Sequence, residues 1–359
     1  MERIFRLLVL VLSVAVIACS PEEGNREQMV NLQAVKDDPE AQLANLNTAL
    51  ARSKRDGSLY ARRAFVLLKK GELEKALADA NEAVKLTKNE PSSLFVKAQI
   101  LRALGKPDEA LPLALQAERN SYQTASLYVL LGELYLQRRD YAQARAYLSK
   151  AQEISPTDEF AFYYKGRVAE ATGDTARAMR SYNLSLKEAP DFKEARRELA
   201  GILVKQENFA AAKPHLYQVR KADPEDNLLW LYLGQVYQAE QKQDSALLAF
   251  NKAVALNDTL YGAHYWLGIQ QHGMGDNEAA LVHLEKAYAA YKDVPKFLST
   301  LASAYERTGQ YARSLTAYQR LVAVEPKLTY AYQAISRLKS KLAKPMPESP
   351  LVPQEQIEQ

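Results

Sequence analysis

The chain has 359 residues, 47% of them hydrophobic and 25% charged, a composition that excludes wholesale disorder and a multi-span membrane protein. Its 47 lysines and arginines nearly balance 43 aspartates and glutamates, and the net charge of +4 is too small for a protein that coats nucleic acid. One cysteine, Cys19, rules out an intramolecular disulfide and a cysteine-built zinc cage, and 14 glycines beside 21 tyrosines disfavour glycine-rich phosphate loops.

Arg3 and Arg6 precede an apolar run from Leu7 to Ala18 that only Ser13 interrupts. A membrane-spanning helix needs about 18 such residues or more, so the run is read as the core of a secretory signal. Its end, Val16, Ile17, Ala18 and Cys19, resembles a bacterial lipobox. That resemblance implies removal of residues 1–18 and acylation of Cys19, which would explain a lone sulfur; an ordinary secretory signal with a chance cysteine and an uncleaved anchor are the other readings. Several acyl chains hold a protein on a bilayer durably where one holds it only marginally. Residues 19–25 are polar and form a tether. In families with this signal an aspartate after the cysteine marks retention in the inner membrane, so Ser20 points to the outer membrane, facing the periplasm. Glu22 and Glu23 keep export to the cell surface open.

Residues 26–56 carry a faint helical pattern, with Leu43, Leu46, Ala49 and Leu50 on one side, expected to form a cap or degenerate repeat. The length suggests two or three globular domains, but a period of 34 residues replaces that expectation with a linear array. From Ala76 the same step reaches Ala110, Ala144, Ala178, Ala212, Ala246, Ala280 and Ser314. A second small column holds Ala64, Ala98, Gly132, Gly166, Ala200, Gly234, Gly268 and Ala302. A turn column holds Gly71, Gly105, Gly173, Gly275 and Gly309, with Arg139, Glu207 and Gln241 in the remaining units. Pro156, Pro190, Pro224 and Pro326 recur where a second helix must stop. Eight units of helix, turn, helix and stop follow: 57–90, 91–124, 125–158, 159–192, 193–226, 227–260, 261–294 and 295–328. Pro112 and Pro214 fall inside second helices and predict mild local irregularity. Tyr330, Tyr332, Ile335, Leu338 and Leu342 predict a capping helix over 329–343, and the four prolines within 344–359 predict a disordered tail.

The array resembles the tetratricopeptide repeat, whose signature runs Trp, Leu-Gly, Tyr, Ala, Phe, Ala, Pro. The sixth unit supplies Trp230, Leu233, Gly234, Tyr237, Ala246, Phe250 and Ala253, with Asp258 in place of the proline; the third supplies Tyr128, Leu131, Gly132, Tyr135, Ala144, Leu148, Ala151 and Pro156. The second and fifth units depart further, with Arg196 where the family prefers an aromatic. The resemblance implies an all-α fold, a right-handed α-solenoid whose first helices line a concave groove. It also implies that positions 2, 5, 9 and 12 of each unit face that groove. Those positions hold Phe65, Phe95, Gln99, Arg102, Phe160, Tyr163, Arg167, Arg197, Leu228, Leu231, Gln235, Tyr265, Ile269 and His272. Aromatics and arginines are the side chains that most often anchor interfaces. Family members that bind chaperone tails use a lysine and an asparagine as a carboxylate clamp; the lysine column here reads Ala61, Phe95, Val129, Tyr163, Arg197, Leu231, Tyr265 and Ser299, so an extended segment or a helix is the expected ligand.

Catalysis finds little support. Of the four histidines, at 215, 264, 272 and 283, two share a helix eight residues apart, too far to share an ion, and His283 belongs to the next helix. His264 occupies an aromatic packing column and is expected to be a packed ring; His272 faces the groove, as ligand contact or solvated residue. No nucleophile elbow, phosphate loop or zinc-protease helix occurs, and neither cofactor nor metal is expected. Pairs such as Lys69 with Lys70, Arg138 with Arg139 and Arg196 with Arg197 read as solvated helix faces. The sequence thus predicts a non-enzymatic, lipid-anchored scaffold for other envelope proteins, or an assembly or pilotin-like factor for an outer-membrane, pilus or secretion complex, with neither nucleic acid nor small molecule as partner.

Overall fold

The computed structural model describes residues 38–343, which form eighteen α-helices and no strand. The signal over 1–18, Cys19 and its tether, residues 26–37 of the cap and the tail from 344 lie outside the described residues. Two compact units divide at Gln123 and Thr124. The first holds α1 (Pro39–Arg52), α2 (Gly57–Lys70), α3 (Leu73–Leu86), α4 (Pro91–Ala103) and α5 (Pro107–Arg119). The second begins with α6 (Ala125–Gln137), α7 (Tyr141–Ile154), α8 (Glu159–Ala171), α9 (Thr175–Glu188), α10 (Lys193–Lys205) and α11 (Phe209–Ala222). It continues with α12 (Asn227–Ala239), α13 (Gln243–Leu256), α14 (Tyr261–Met274), α15 (Asn277–Tyr291), α16 (Pro295–Arg307), α17 (Tyr311–Val324) and α18 (Thr329–Ala343). Among the described residues no helix is long and apolar enough to cross a membrane.

Short polar side chains start many of these helices. Asp158 and Asp226 accept from the backbone N–H groups of Ala161 and Leu229, and Asp140, Asp174, Asn208 and Asp276 do the same for second helices, each satisfying a donor that has no partner within the helix. The turn column ends the first helices. Gly71, Gly105, Gly173, Gly275 and Gly309 have φ between 72° and 91°, where a glycine meets no Cβ penalty. Arg139, Glu207 and Gln241 adopt the same left-handed conformation, at φ 61°, 59° and 58°. The hydrogen bonds explain why they must: Asp140, Asn208 and Lys242 N–H donate back to Tyr135, Leu203 and Tyr237 carbonyls, as Glu72 does to Leu67 after Gly71. Gln241→Gly should therefore raise stability by about 1 kcal/mol, read as a higher thermal midpoint with unchanged helicity. Second helices α7, α9, α11 and α17 stop two residues before Pro156, Pro190, Pro224 and Pro326. Pro112 and Pro214 remain inside α5 and α11, which run on through them.

The two small columns are where paired helices touch. Ala64, Ala98, Ala200 and Ala302 are fully buried, as are Ala76, Ala110, Ala144, Ala178, Ala212 and Ala280. A Cβ added to Gly132, Gly166, Gly234 or Gly268 would come within 2.6 Å of Leu148, 2.5 Å of Tyr182, 2.4 Å of Phe250 or 2.6 Å of Leu284. Large side chains in the second helix thus fill space that a missing side chain leaves in the first. Ser314 keeps the pattern polar but satisfied: its Oγ donates to the Ala302 carbonyl at 2.8 Å. α1 begins one repeat length before α3 and α18 one repeat length after α16, so the described chain starts on a second-type helix and ends on a first-type one.

Candidate binding surfaces

In the first unit, α1, α2 and α4 line an open groove of about 920 Å³. Phe65, Phe95 and Gln99 all line it, with Leu46, Ala49 and Tyr122. Phe65 stays 37% exposed under the ammonium of Lys69, 4.7 Å from its ring centre, whereas Phe95 is buried against Tyr122 at 5.2 Å. Arg102, half-buried on the same helix as Phe95 and Gln99, is not among the lining residues.

In the second unit the aromatic residues gather on α8. Phe160 is 48% exposed and touches Phe192 at 5.1 Å; Tyr163 is buried and touches Phe192 at 5.0 Å. Burial pushes the Tyr163 hydroxyl above its ordinary range, with Arg167 opposing. Arg167 donates to that hydroxyl at 3.0 Å and lies 3.7 Å from Glu198. Arg197 bonds Glu198 at 2.6 Å and Asp226 at 2.8 Å, so α8, α10 and the start of α12 share one ladder of charges. Two of the three predicted groove arginines, Arg167 and Arg197, are thereby partnered within the fold. Glu198 and Asp226, in none of the groove columns, are the residues that sequence reasoning missed. Further along, Leu231 and Tyr265 are buried, the latter stacked on Tyr291 at 4.5 Å; Leu228, Gln235 and Ile269 are partly exposed. His272 Nδ1 donates to Asn277 Oδ1 at 2.7 Å.

The spacing argument separated the histidines, and here the structure corrects it. His264 is fully buried, as its packing column requires, but its Nδ1 lies 2.8 Å from Nδ1 of His283. Its Nε2 faces the Asp258 carbonyl at 2.9 Å, which can only accept, so with both rings neutral Nε2 donates there and His283 donates its Nδ1–H to His264. A signal existed: Tyr128 and Tyr147 occupy the same two columns in another unit and are also in ring contact, at 6.1 Å. Burial, helped by His264 and then Lys286, lowers the His283 pKa to about 4 from an ordinary 6.5. Folding then favours the neutral ring, so this stability is present above pH 6.5 and is lost as pH falls through about 4. Because the ring is only half-buried, solvent screens part of this shift, and the loss is on the order of 1 to 2 kcal/mol. A His283→Gln variant should lack that step in urea titrations across the window. Among the described residues, no group of three or more His, Cys, Asp or Glu stands together to hold a metal.

Comparison with known proteins decides the family. Two family models, both described as tetratricopeptide repeat, match residues 95–159 and 197–260, and residues 272–342, together more than half of the chain. The chain belongs to the tetratricopeptide-repeat family. Anaphase-promoting complex subunit 3 of Schizosaccharomyces pombe is 24% identical over 247 residues, covering 66% of this chain and 36% of that protein. Human tetratricopeptide repeat protein 13 is 30% identical over 146 residues, 40% of this chain and 16% of that one. The chain thus spans about a third or less of these relatives. Among solved structures, the Cut9–Hcn1 assembly of the anaphase-promoting complex matches with a TM-score of 0.64 at 16% identity, over 85% of this chain and 60% of that one. The structure of pilF from Pseudomonas aeruginosa matches at 0.52 and 18%, over 60% of this chain and 97% of that one. At these identities they establish the fold alone, a tetratricopeptide-repeat solenoid.

Proposed function

We propose that the protein is a non-enzymatic scaffold of a bacterial envelope, held by acyl chains on Cys19 at the outer membrane and facing the periplasm, whose repeat faces hold peptide or helical segments of other envelope proteins. The observation that carries the binding role is the aromatic surface left open at Phe160, 48% exposed beside the buried Tyr163 and the half-buried Phe192. A ring of that size left in water by a well-packed helix pair is a ready anchor for a partner. The anchoring role is supported by the signal-like run and by Val16, Ile17, Ala18 and Cys19. Anchoring confines the scaffold to a thin layer, which raises the effective concentration of whatever it holds.

Two measurements test the reading. Cys19→Ala should abolish metabolic acyl labelling and release the protein from membranes; continued membrane retention would mean an uncleaved anchor. A photocrosslinker at Phe160 should join discrete envelope proteins in cells and the same group at exposed Leu248 should not, whereas equal yields at both places would remove α8 as the binding surface.

A further inference from the structure

Position 165 carries a lysine in a column that five other repeats fill with buried leucine. Leu131, Leu199, Leu233, Leu267 and Leu301 are each no more than 2% exposed. Lys165 is half-buried on α8, and burial pulls its pKa below the ordinary lysine range. Its ammonium donates to the Gln152 amide oxygen, and no carboxylate among the described residues pairs with it.

A charge in a leucine column is costly unless something satisfies it, and the first repeat does so from within. There Arg63 holds the same position, three repeat lengths earlier. Its Nε and Nη2 donate to the Asp79 carboxylate at 2.6 and 2.7 Å, and its Nη1 donates to Asn47 Oδ1 at 2.7 Å. Around Lys165 the residues in register with Asp79 and Asn47 are Ser181 and Ser149, so the internal acid is gone. Leu43 and Lys75, which line the pocket around Arg63, correspond to Arg145 and Arg177, so a cation has been added. The second repeat also has a cation in the column, Lys97, but Leu77, Glu109 and Leu113 stand where the fourth has Arg145, Arg177 and Ser181.

These side chains meet. Arg145 and Ser149 of α7, Lys165 and Thr172 of α8, and Arg177 and Ser181 of α9 line one pocket, and no carboxylate lines it. Asp174, at the start of α9, reaches Arg177 Nε at 3.3 Å, whereas the exposed Arg145 has no ion-pair partner among the described residues. Three cations thus face one acid. Thr172 Oγ1 donates to the Val168 carbonyl at 2.9 Å, while the hydroxyls of Ser149 and Ser181 make no hydrogen bond among the described residues. The volume of about 210 Å³ is below the roughly 300 to 1,000 Å³ of pockets for drug-sized molecules, so it suits one small group.

We infer that this pocket binds a phosphate group, whose oxygens meet the cations of Arg145, Lys165 and Arg177 and accept from the hydroxyls of Ser149 and Ser181. A phosphate monoester carries about −1.5 to −2 charges at pH 7 and offsets the two unbalanced cations, which a carboxylate does not. A free phosphate and a lipid headgroup share this chemistry. The inference goes beyond the scaffold reading: Lys165 and Phe160, five residues apart, lie on different faces of α8, so either can fail without the other.

The test titrates the full chain calorimetrically with inorganic phosphate and with dihexanoyl phosphatidic acid, using dihexanoyl phosphatidylcholine as the control. At least one of the two phosphates should bind saturably, and the control should not. Lys165→Leu, which restores the residue that five repeats bury there and so keeps the fold, should weaken binding at least about tenfold. Ser181→Asp, which supplies the acid of the first repeat, should do the same, whereas Lys165→Arg should retain binding. Phosphatidic acid binding at least about tenfold tighter than inorganic phosphate assigns a lipid headgroup, and comparable or weaker binding assigns a free phosphate. Absence of saturable binding by both, or binding that survives Lys165→Leu and Ser181→Asp, would overturn the inference.

Discussion

Phe250→Ala should lower the free energy of unfolding by about 3 to 5 kcal/mol, the range for deleting a buried phenyl ring from a core that cannot close around the gap. The ring is fully buried, fills the space above Gly234 and stacks on Trp266 of α14 at 6.1 Å and 4°. It therefore joins the two helices of its own unit to the first helix of the next. Because each repeat touches only its neighbours, the damage should stay local. Hydrogen exchange should accelerate first in α12, α13 and α14 and leave α16 to α18 protected, while a urea transition should broaden or split. Gly234→Ala alone should cost about 1 to 3 kcal/mol by overpacking, since its Cβ would stand 2.4 Å from the phenyl ring. The two changes together should cost less than their sum. Alanine facing alanine is a pairing this chain already uses, at Ala64 with Ala80 and Ala98 with Ala114, all fully buried. Strict additivity in the double mutant would argue that Gly234 and Phe250 do not share one space.

That coupling was legible in the sequence because each unit carries a small column in its first helix and a large one in its second, and packing then has one solution. The same logic placed the left-handed turns, even where Arg139, Glu207 and Gln241 stand in for glycine: the hydrogen bonds closing each helix demand the conformation, and the residue type only changes its cost. The binding faces were less legible. The position rule treats each first helix as facing open space, yet Phe95, Tyr163 and Tyr265 are covered by Tyr122, Phe192 and Tyr291. Those three rings come from the segments that end each unit, at different offsets from the repeat start, so no single column announces them. Phe160 escapes because Phe192 reaches only one side of it. The partners of the arginines were hidden for a similar reason. Arg197 is a groove position by register, but its partners are an adjacent glutamate and the aspartate that starts the next first helix.

That aspartate, Asp226, carries the second large effect. One oxygen accepts from the Leu229 N–H at 3.0 Å and caps α12, while the other pairs with Arg197 at 2.8 Å, and the side chain is only 9% exposed. Asp226→Ala removes both interactions. A lost cap costs about 1 kcal/mol, and removing one partner of a buried pair costs about 3 to 5 kcal/mol when the other charge is stranded. Arg197 is not stranded, since Glu198 holds it at 2.6 Å, so a total of about 2 to 4 kcal/mol is expected. Asp226→Asn separates the parts, because asparagine caps as well as aspartate but carries no charge. It should fall between wild type and Asp226→Ala, about 1 kcal/mol above the latter in urea unfolding. In an Arg197→Met background the buried carboxylate of Asp226 loses its cation, so Asp226→Asn should cease to destabilise and should even raise stability, while Asp226→Ala still loses the cap. If asparagine behaved like alanine in both backgrounds, the cap would contribute nothing. If it behaved like aspartate in both, the pair with Arg197 would contribute nothing, and that arginine would be held by Glu198 alone.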